Sequence, residues 1–264
     1  MKRLGSLVLA AFLVAAMGIT AAAAQKTYKA ASGTPTIDGI IDDAYKATET
    51  IHINVHTSGT KRTTGTAQIL WDADSVYAVF DIKDSAISAA PSAKMHESDS
   101  VDWFLDLTGN ANEDITLVNA AQYTAPAPIV GQDLTKWSGQ GGHWEKNVRF
   151  AKYASVKSAK GYIIEMQIPW GADYMPKAGA EILSAFRINA DDDGKTVRED
   201  EVFANEGQTN AASDSRSYDK LILTDMVYKA PIKHTPPTVD VGIASALAAL
   251  ASAGAALLVM KKKQ

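Results

Sequence analysis

The sequence predicts an all-β fold, an antiparallel β-sandwich of the immunoglobulin or jelly-roll type. Apolar and polar residues alternate with a period of two in several short stretches, most clearly between Val76 and Ile82. This period places the apolar side chains on one face of a strand. Glycine, proline and aspartate separate the stretches, and apart from a turn around residues 42–47 the chain between residues 25 and 240 has no convincing helical stripe. Many short strands joined by turn residues are typical of a sandwich.

The alternation predicts the strands in chain order. Four strands have apolar residues at alternate positions, which we expect to face the interior: Ile51, Ile53 and Val55; Val76, Ala78, Phe80 and Ile82; Val101, Trp103, Leu105 and Leu107; Tyr162, Ile164, Met166 and Ile168. Three more strands are expected over residues 148–153, 182–190 and 221–223. Pro169 ends the strand before it, because proline cannot donate a hydrogen bond to a sheet. Trp71 and Trp170 also lie within strand patterns and, like Trp103, are predicted to be core residues.

Both ends of the chain are apolar. Residues 1–24 have the layout of a secretory signal peptide, with Lys2 and Arg3 before an apolar run and four alanines at residues 21–24. Residues 241–260 form a second uncharged run, long enough to cross a bilayer. The basic tail at residues 261–264 favours the cytoplasmic side of the membrane. We therefore expect an exported domain held at the cell surface by one C-terminal transmembrane helix.

Residues 227–240 contain three prolines and are predicted to be a spacer between the sandwich, residues 25–226, and the membrane. Within this spacer, residues 235–240 followed by the apolar run and the lysines resemble a degenerate sortase signal of Gram-positive bacteria, Leu-Pro-x-Thr-Gly. Thr235 stands in place of the leucine and Val239 in place of the glycine. The resemblance implies a Gram-positive cell surface, with retention in the membrane favoured over covalent attachment to the wall.

Composition excludes some classes of site and partner. The chain has no cysteine, so it contains neither disulfides nor thiolate metal sites. Five of its 26 basic residues lie in the two ends, so residues 25–240 hold 26 − 5 = 21 basic and 30 acidic residues, a charge of −9. This charge argues against DNA or RNA as a partner, because phosphate binding requires the opposite sign. Neutral glycans and cations suit the surface better.

An acidic turn follows the predicted strand at residues 182–190. Asp191, Asp193 and Gly194 lie in it, and Asp200 follows six residues after the glycine, a spacing close to that of a calcium loop. The loop does not begin with aspartate or end with glutamate, and a strand precedes it, so it is not an EF-hand. We predict Asp191, Asp193 and Asp200 as ligands of a structural Ca²⁺. The alternative is a solvated hairpin turn at Asp193-Gly194.

Five stretches of the chain resemble the family 9 carbohydrate-binding modules, β-sandwich domains usually attached to xylan- and glucan-degrading enzymes. Residues 33–45 contain Thr-Ile-Asp-Gly, residues 70–77 contain Trp-Asp, and residues 97–106 contain Asp-Ser-Val. Residues 161–170 and 186–189 resemble the later core strands. The resemblance covers residues 33–224 and implies a non-catalytic domain that binds a xylan- or glucan-like polysaccharide or oligosaccharide.

The resemblance also implies a sugar site. Members of the family hold the end of a sugar chain between two tryptophans, with polar side chains around the hydroxyl groups. His96 stands where the first tryptophan would be and Ala212 near the second, so both aromatic walls are missing. Asp102 stands in the place of an acid and Asn189 in that of an amide. We predict His96, Asp102 and Asn189 as sugar-binding residues.

Trp137 and Trp144 are candidates to replace the missing aromatic walls. Both lie in the long stretch from residue 119 to residue 147, which is rich in glycine, alanine and proline. Loops of this length are functional or loosely ordered. We predict that both tryptophans contact sugar; the alternative is that they pin the loop to the sandwich.

Other classes of function are less favoured. No motif singles out a pair of carboxylates for glycoside hydrolysis, and the chain has no nucleophile elbow, Walker loop or His-Glu-x-x-His motif. One alternative is an adhesion or scaffold domain that has lost the sugar site. Another is a haem-binding electron carrier using Met95 and His96, since a related superfamily of sandwiches includes such proteins. His52 and His56 fall on one face of a predicted strand, which favours a solvated face over a zinc site.

Overall fold

The computed structural model describes residues 25–59, 62–88, 95–111, 120–128, 138–140, 151–171, 174–195 and 197–230. Thirteen strands lie in these ranges: β1 (Thr27–Ser32), β2 (Ile51–Ile53), β3 (Val55–His56), β4 (Thr64–Trp71), β5 (Ser75–Lys83), β6 (Ser100–Asp106), β7 (Ala120–Pro126), β8 (Ser138–Gln140), β9 (Lys152–Ser158), β10 (Gly161–Pro169), β11 (Glu181–Ala190), β12 (Asp200–Phe203) and β13 (Asp219–Leu223). Short 3-10 helices cover Asp43–Ala47, Met95–Glu97, Glu206–Asn210 and Ser215–Ser217. The predicted leader and transmembrane segment lie outside the described residues. Among the residues that are described, no helix is long and apolar enough to span a bilayer.

The strands form two sheets. Sheet 1 has the order β8-β7-β6-β11-β13-β1. Strand β12 also pairs with β11, on the same edge as β13, and β3 pairs with β12. Sheet 2 has the order β1-β4-β5-β10-β9, with β2 beside β4. The first four residues of β1 pair with β13 and its last two residues pair with β4, so this strand passes from one sheet to the other.

The prediction of a sandwich is confirmed, but the prediction that it is purely antiparallel is wrong. β1 runs parallel to β13, with Tyr28 opposite Leu221, and parallel to β4, with Ala31 opposite Leu70. The other strand pairs within the described residues are antiparallel. Alternation of side chains reports which face is buried and carries no information on strand direction, which is why the sequence did not reveal this feature.

Five of the seven predicted strands are present within a residue or two of their expected bounds. The strand expected to carry Ile51, Ile53 and Val55 is instead two strands, β2 in sheet 2 and β3 in sheet 1, and Val55 is only half-buried. Of the strand expected at residues 148–153, residues 148–150 lie outside the described residues, and the last two residues fall in β9, Lys152–Ser158. The turn expected around residues 42–47 is the 3-10 helix Asp43–Ala47. Five strands were not predicted, because their patterns are short or interrupted by polar residues: β1, β4, β7, β8 and β12. Two of them, β7 and β8, lie in the stretch from residue 119 to residue 147 that was predicted to be a long loop.

The core lies between the two sheets. Phe80 of sheet 2 meets Phe186 of sheet 1 edge to face, with ring centroids 6.2 Å apart, and Trp103, opposite Phe186 in sheet 1, stacks on it at 6.5 Å. Trp71 and Trp170 are buried, as predicted. Gly65 allows the sheets to approach closely, because a Cβ atom there would lie 2.5 Å from Ile82 Cδ1 and 2.9 Å from Ile188 Cδ1.

The outer face of sheet 1 is also covered. Phe104 on β6 packs there against Tyr218, with ring centroids 6.0 Å apart, within a small apolar cluster that also contains Leu183 and Ala211. Polar side chains occupy the part of this face beyond Phe104, and the guanidinium of Arg187 lies 5.3 Å from its ring centroid. This polar region contains two of the predicted sugar-binding residues.

Candidate functional site

A buried polar network, centred on Asp102, lies on the outer face of sheet 1. The pairing of β6 with β7 and β11 places Thr124 and Arg187 directly opposite Asp102, so all three side chains share one face. One carboxylate oxygen of Asp102 accepts from Arg187 Nε at 2.7 Å and from Asn189 Nδ2 at 2.8 Å, and it also lies 2.6 Å from Arg187 Nη2. The other accepts from Gln122 Nε2 at 3.0 Å and from the Thr124 hydroxyl.

The network keeps a charged carboxylate inside the protein. Complete burial alone would raise the pKa of Asp102, but the neighbouring guanidinium of Arg187 and hydrogen bonds from Thr124, Asn189 and Gln122 outweigh it. The pKa of Asp102 is therefore lowered, and the group is ionised at neutral pH. A buried charge needs such partners, because an unpaired one would be strongly destabilising.

The network reaches the surface through Glu201. Arg187 Nη1 donates to Glu201 Oε1 at 2.8 Å, and Arg198 donates to the same oxygen. Arg198 Nη1 also donates to the backbone carbonyl of His96 at 2.6 Å. Glu201, Arg198 and His96 line one cleft of about 330 Å³, whose remaining lining residues are Ser58, Glu97, Val197, Glu199 and Asp200. We call this the His96 cleft.

The predicted sugar-binding residues occupy different levels of this region. His96 lines the cleft. Partial burial and the positive charges of Arg198 and Arg187 lower the pKa of His96, and they outweigh the negative charge of Asp102, which raises it. Asp102 and Asn189 are bonded to each other but are fully buried, so they support the cleft from behind and do not line it. Trp137 and Trp144 lie outside the described residues. Within the part of the chain that is described, no Phe, Tyr or Trp side chain lines the cleft.

Sequence reasoning missed the cations of this site. Arg187 and Arg198 are the groups that tie the buried network to the cleft. One signal was available: Arg187 is a charged residue inside the otherwise apolar strand β11, on the same face as Asn189. Its partner Asp102 is 85 residues earlier in the chain, so the local pattern could not identify it.

The predicted calcium ligands are brought together only in part. Oxygens of Asp191, Asp193 and Glu199 all lie within 4.8 Å of one another. Asp200, which was predicted to join them, accepts instead from His56 Nδ1 at 2.6 Å and from the Ser58 backbone N–H at 3.0 Å. Asp200 is the first residue of β12 and is engaged by these two donors, so it is not one of the three acids that converge.

The pairing with Asp200 also changes the interpretation of His56. The sequence predicted a solvated polar face at this position. The side chain of His56 is only 9% exposed and forms a hydrogen bond with Asp200, which is 5% exposed. His52, by contrast, is exposed, as expected.

A second acidic group, missed by sequence reasoning, lies behind the first. Asp84, Asp99 and Asp191 are all buried, and desolvation together with the charge of Asp84 raises the pKa of Asp99 to about 9. Asp99 accepts from the backbone N–H groups of Asp191 at 2.8 Å and Ser88 at 2.6 Å. One oxygen of Asp84 and one of Asp191 have no hydrogen-bond partner among the described residues. Buried carboxylate oxygens without partners fit a hard divalent cation with oxygen ligands.

Comparison with known proteins connects this fold to one family. The profile described as carbohydrate family 9 binding domain-like matches residues 37–226. Endo-1,4-beta-xylanase C of Paenibacillus barcinonensis is 28% identical over 198 residues, which are 75% of this chain and 17% of that protein. Endo-1,4-beta-xylanase A of Thermoanaerobacterium saccharolyticum is 31% identical over 196 residues, 73% of this chain and 16% of that protein. The chain therefore spans only a small part of these relatives.

A solved structure has the same fold. It is a carbohydrate-binding module of family 9 from Caldicellulosiruptor kristjanssonii in complex with glucose, with a TM-score of 0.65 and 18% sequence identity over 79% of this chain and 100% of that chain. The same module in complex with cellotriose also gives a TM-score of 0.65, with 18% identity over 80% of this chain and 100% of that chain.

Proposed function

Because the chain belongs to the carbohydrate family 9 binding domain-like family, we propose that it is a non-catalytic module that binds a glucan- or xylan-like chain. The domain matched in the xylanases is a small part of those proteins, and solved modules of the same fold are complexes with glucose and cellotriose. The observation in this chain that carries the proposal is the His96 cleft, whose polar walls are fixed by a buried network of charged and amide side chains.

The proposed chemistry follows from the depth of each residue. Arg198 and Glu201 at the cleft surface would exchange hydrogen bonds with sugar hydroxyls, and His96 would lie against a ring. Asp102, Asn189 and Arg187 would not touch sugar; they hold Glu201 in place, because Arg187 bonds Asp102 and Glu201 at once. A rigid support of this kind lowers the entropy that the binding residues lose when a ligand arrives.

Binding of neutral oligosaccharides by the full chain tests the proposal. We expect calorimetric titration with cello- or xylo-oligosaccharides to give weak binding, and Arg198→Ala to weaken it roughly tenfold through the loss of charge-assisted hydrogen bonds. Arg216→Ala is the matched control, since Arg216 pairs with Asp214 in another segment of the protein. Equal affinities in wild type, Arg198→Ala and the control would contradict the assignment of the cleft.

We also propose that the acidic groups hold a structural Ca²⁺. Asp191 contributes to both groups, since its carboxylate lies near Asp193 and Glu199 while its backbone N–H bonds Asp99. The unpartnered buried oxygens of Asp84 and Asp191 support the proposal, because a divalent cation would satisfy them. Glu199 thus replaces Asp200 in the proposed ligand set.

The proposed location is the outer surface of a Gram-positive cell. The signal-like residues 1–24 and the apolar residues 241–260 support export followed by anchoring through a membrane helix. Display of many copies would raise the avidity for a polymeric glycan above that of one weak site. Protease treatment of intact cells, followed by immunodetection of the domain, tests this location; protection of the domain from protease would contradict it.

One observation favours a second function, that of an adhesion or scaffold domain without a sugar site. Both carboxylate oxygens of Asp102 are taken up by donors of the protein itself, and no Phe, Tyr or Trp side chain lines the described part of the cleft. An array of plant and microbial glycans separates the two functions. Binding to none of them, with retained attachment of the cells to one another or to a protein partner, would favour the scaffold.

A further inference from the structure

A second cleft, separate from the His96 cleft, lies where the end of β5 meets the turn between β9 and β10. It has a volume of about 610 Å³, and its charged or polar lining side chains are Lys83, Asp84, Ser85, Lys157, Ser158 and Lys160. The backbone of Asp84 donates to the carbonyl of Lys160 at 2.9 Å, which ties its two sides together. We call this the lysine cleft.

The lysine cleft is basic, whereas the domain as a whole is acidic. Residues 25–240 carry a charge of −9, yet three lysines line this cleft. Lys83, Lys157 and Lys160 are all exposed, and none of them forms an ion pair with a described acid. Among the described residues, Asp84 is the one acid that lines the cleft, and its side chain is buried.

Protection of a sheet edge explains only one of these lysines. Lys157 lies on β9, at the edge of sheet 2, where lysine discourages pairing with another chain. Lys83 ends β5, which is bonded on both sides by β4 and β10, and Lys160 lies in a turn. The concentration of charge at Lys83 and Lys160 therefore needs another reason.

We propose that the lysine cleft binds an oxyanion carried by a polymer outside the cell, a uronic-acid carboxylate or a phosphate diester. Ammonium groups attract carboxylate and phosphate as point charges and do not require a planar partner. Ser85 and Ser158 add hydroxyl groups that can donate to the same oxygens. The apolar residues among the described lining are Ile87, Ala159 and Gly161. None of them offers a flat ring on which a neutral sugar could stack.

The charge of the whole domain limits the ligand further. A nucleic acid carries a phosphate at every nucleotide and would be repelled by the remaining acidic surface. A polymer that bears only a few anionic groups, singly or in short runs, would place one of them between Lys83 and Lys160. It would meet little of that repulsion. Binding should weaken as salt rises, because the ammonium groups are exposed.

The test is calorimetric titration of the full chain at low ionic strength with an oligogalacturonate and, separately, with inorganic phosphate. We expect at least one to bind, and the pair Lys83→Gln with Lys160→Gln to lower its affinity roughly tenfold. Lys177→Gln with Lys229→Gln is the matched control, since both lysines are exposed and lie outside the cleft. The oligogalacturonate arm reports a carboxylate site, and the phosphate arm reports a phosphate site.

A third titration, with a neutral cello-oligosaccharide, reports the His96 cleft and should be unaffected by the lysine-cleft substitutions. Loss of oligogalacturonate binding alone therefore distinguishes this site from the proposed glycan site. The proposal is overturned if neither anion binds, or if both double variants lose affinity equally, since the second result would mean nonspecific attraction.

Discussion

Arg187 and Asp102 lie directly opposite each other on β11 and β6, and Arg187 Nε lies 2.7 Å from Asp102 Oδ2 in a region where both side chains are buried. The same guanidinium bonds Glu201 at the surface. This one arginine therefore compensates a buried charge and fixes a wall of the His96 cleft. Its removal should affect stability and binding together, whereas removal of a surface charge should not.

Arg187→Met tests the stabilising part of this role. The substitution keeps an unbranched apolar chain against Phe104 but leaves Asp102 without its cation, so we expect the free energy of unfolding to fall by about 3–5 kcal/mol. Urea unfolding measures it. The control is Arg216→Met, which breaks an exposed pair with Asp214 and should change the free energy far less. An equal loss in the two variants would mean that Asp102 does not depend on Arg187.

Gly65→Ala tests how closely the sheets approach. The added Cβ atom would lie 2.5 Å from Ile82 Cδ1, so the two core side chains nearest to it must move. We expect a loss of about 1–3 kcal/mol in the free energy of unfolding, the usual range for overpacking. Gly33→Ala is the control, because its nearest neighbours would lie at 3.6 Å, an ordinary contact distance. A neutral Gly65→Ala would show that the interface is looser than described.

The pKa of Asp99 predicts how stability depends on pH. It is about 9 in the folded protein and about 3.9 in an unfolded chain, so between these values the folded state binds more protons at this site. Its contribution to stability therefore falls as pH rises. With a chelator present, we expect the free energy of unfolding to fall between about pH 6 and pH 8, and Asp99→Asn to reduce the slope. The exposed Asp225→Asn should leave the slope unchanged; an unchanged slope in Asp99→Asn would contradict the assignment.

Calcium should reverse this destabilisation. An ion that binds only the folded state contributes about 2.7 kcal/mol when its concentration is about 100 times Kd. For a domain of this size we expect Tm to rise by roughly 5–10 °C on adding calcium in place of chelator. Asp191→Asn should abolish most of the rise, since Asp191 belongs to both acidic groups, and Asp225→Asn should keep it. Identical melting curves with calcium and with chelator would end the calcium proposal.

How much the sequence predicted depends on whether a feature is local. The alternation around Trp103 and Tyr162 identified two core strands correctly, because a strand with one buried face shows a period of two in its own residues. The direction of β1 and the partner of Asp102 depend on residues far apart in the chain, and no local pattern encodes them. For the same reason Asp84 and Asp99 gave no signal, since the two acids come together only where the end of β5 lies near the start of β6.

The acidic loop that begins at Asp191 shows the same limit over a short distance. The spacing of acids grouped Asp191 with Asp193, whose oxygens lie close together, but chose Asp200 over Glu199 as the third acid. The choice depended on an analogy with helical loops. Here the last acid of the loop, Asp200, is already the first residue of a strand, β12. At that position Asp200 bonds His56, whereas Glu199, just before the strand, lies with Asp191 and Asp193.

His96→Trp tests whether the cleft is a sugar site with a weakened aromatic wall. His96 stands at the cleft, in the position where the resemblance to the family implies a tryptophan, and an indole would give a sugar ring a larger apolar face. If the added ring buries an extra 30–60 Å² or so against the sugar, about 25 cal/mol per Å² predicts a gain of roughly 1 kcal/mol, or about fivefold in affinity for a cello-oligosaccharide. His52→Trp adds the same ring on an exposed part of β2, so it should leave affinity unchanged and shows whether any new tryptophan suffices. Equal affinities of His96→Trp and wild type, with the fold intact by its melting curve, would mean that sugar does not contact His96, and would favour a scaffold over a glycan-binding module.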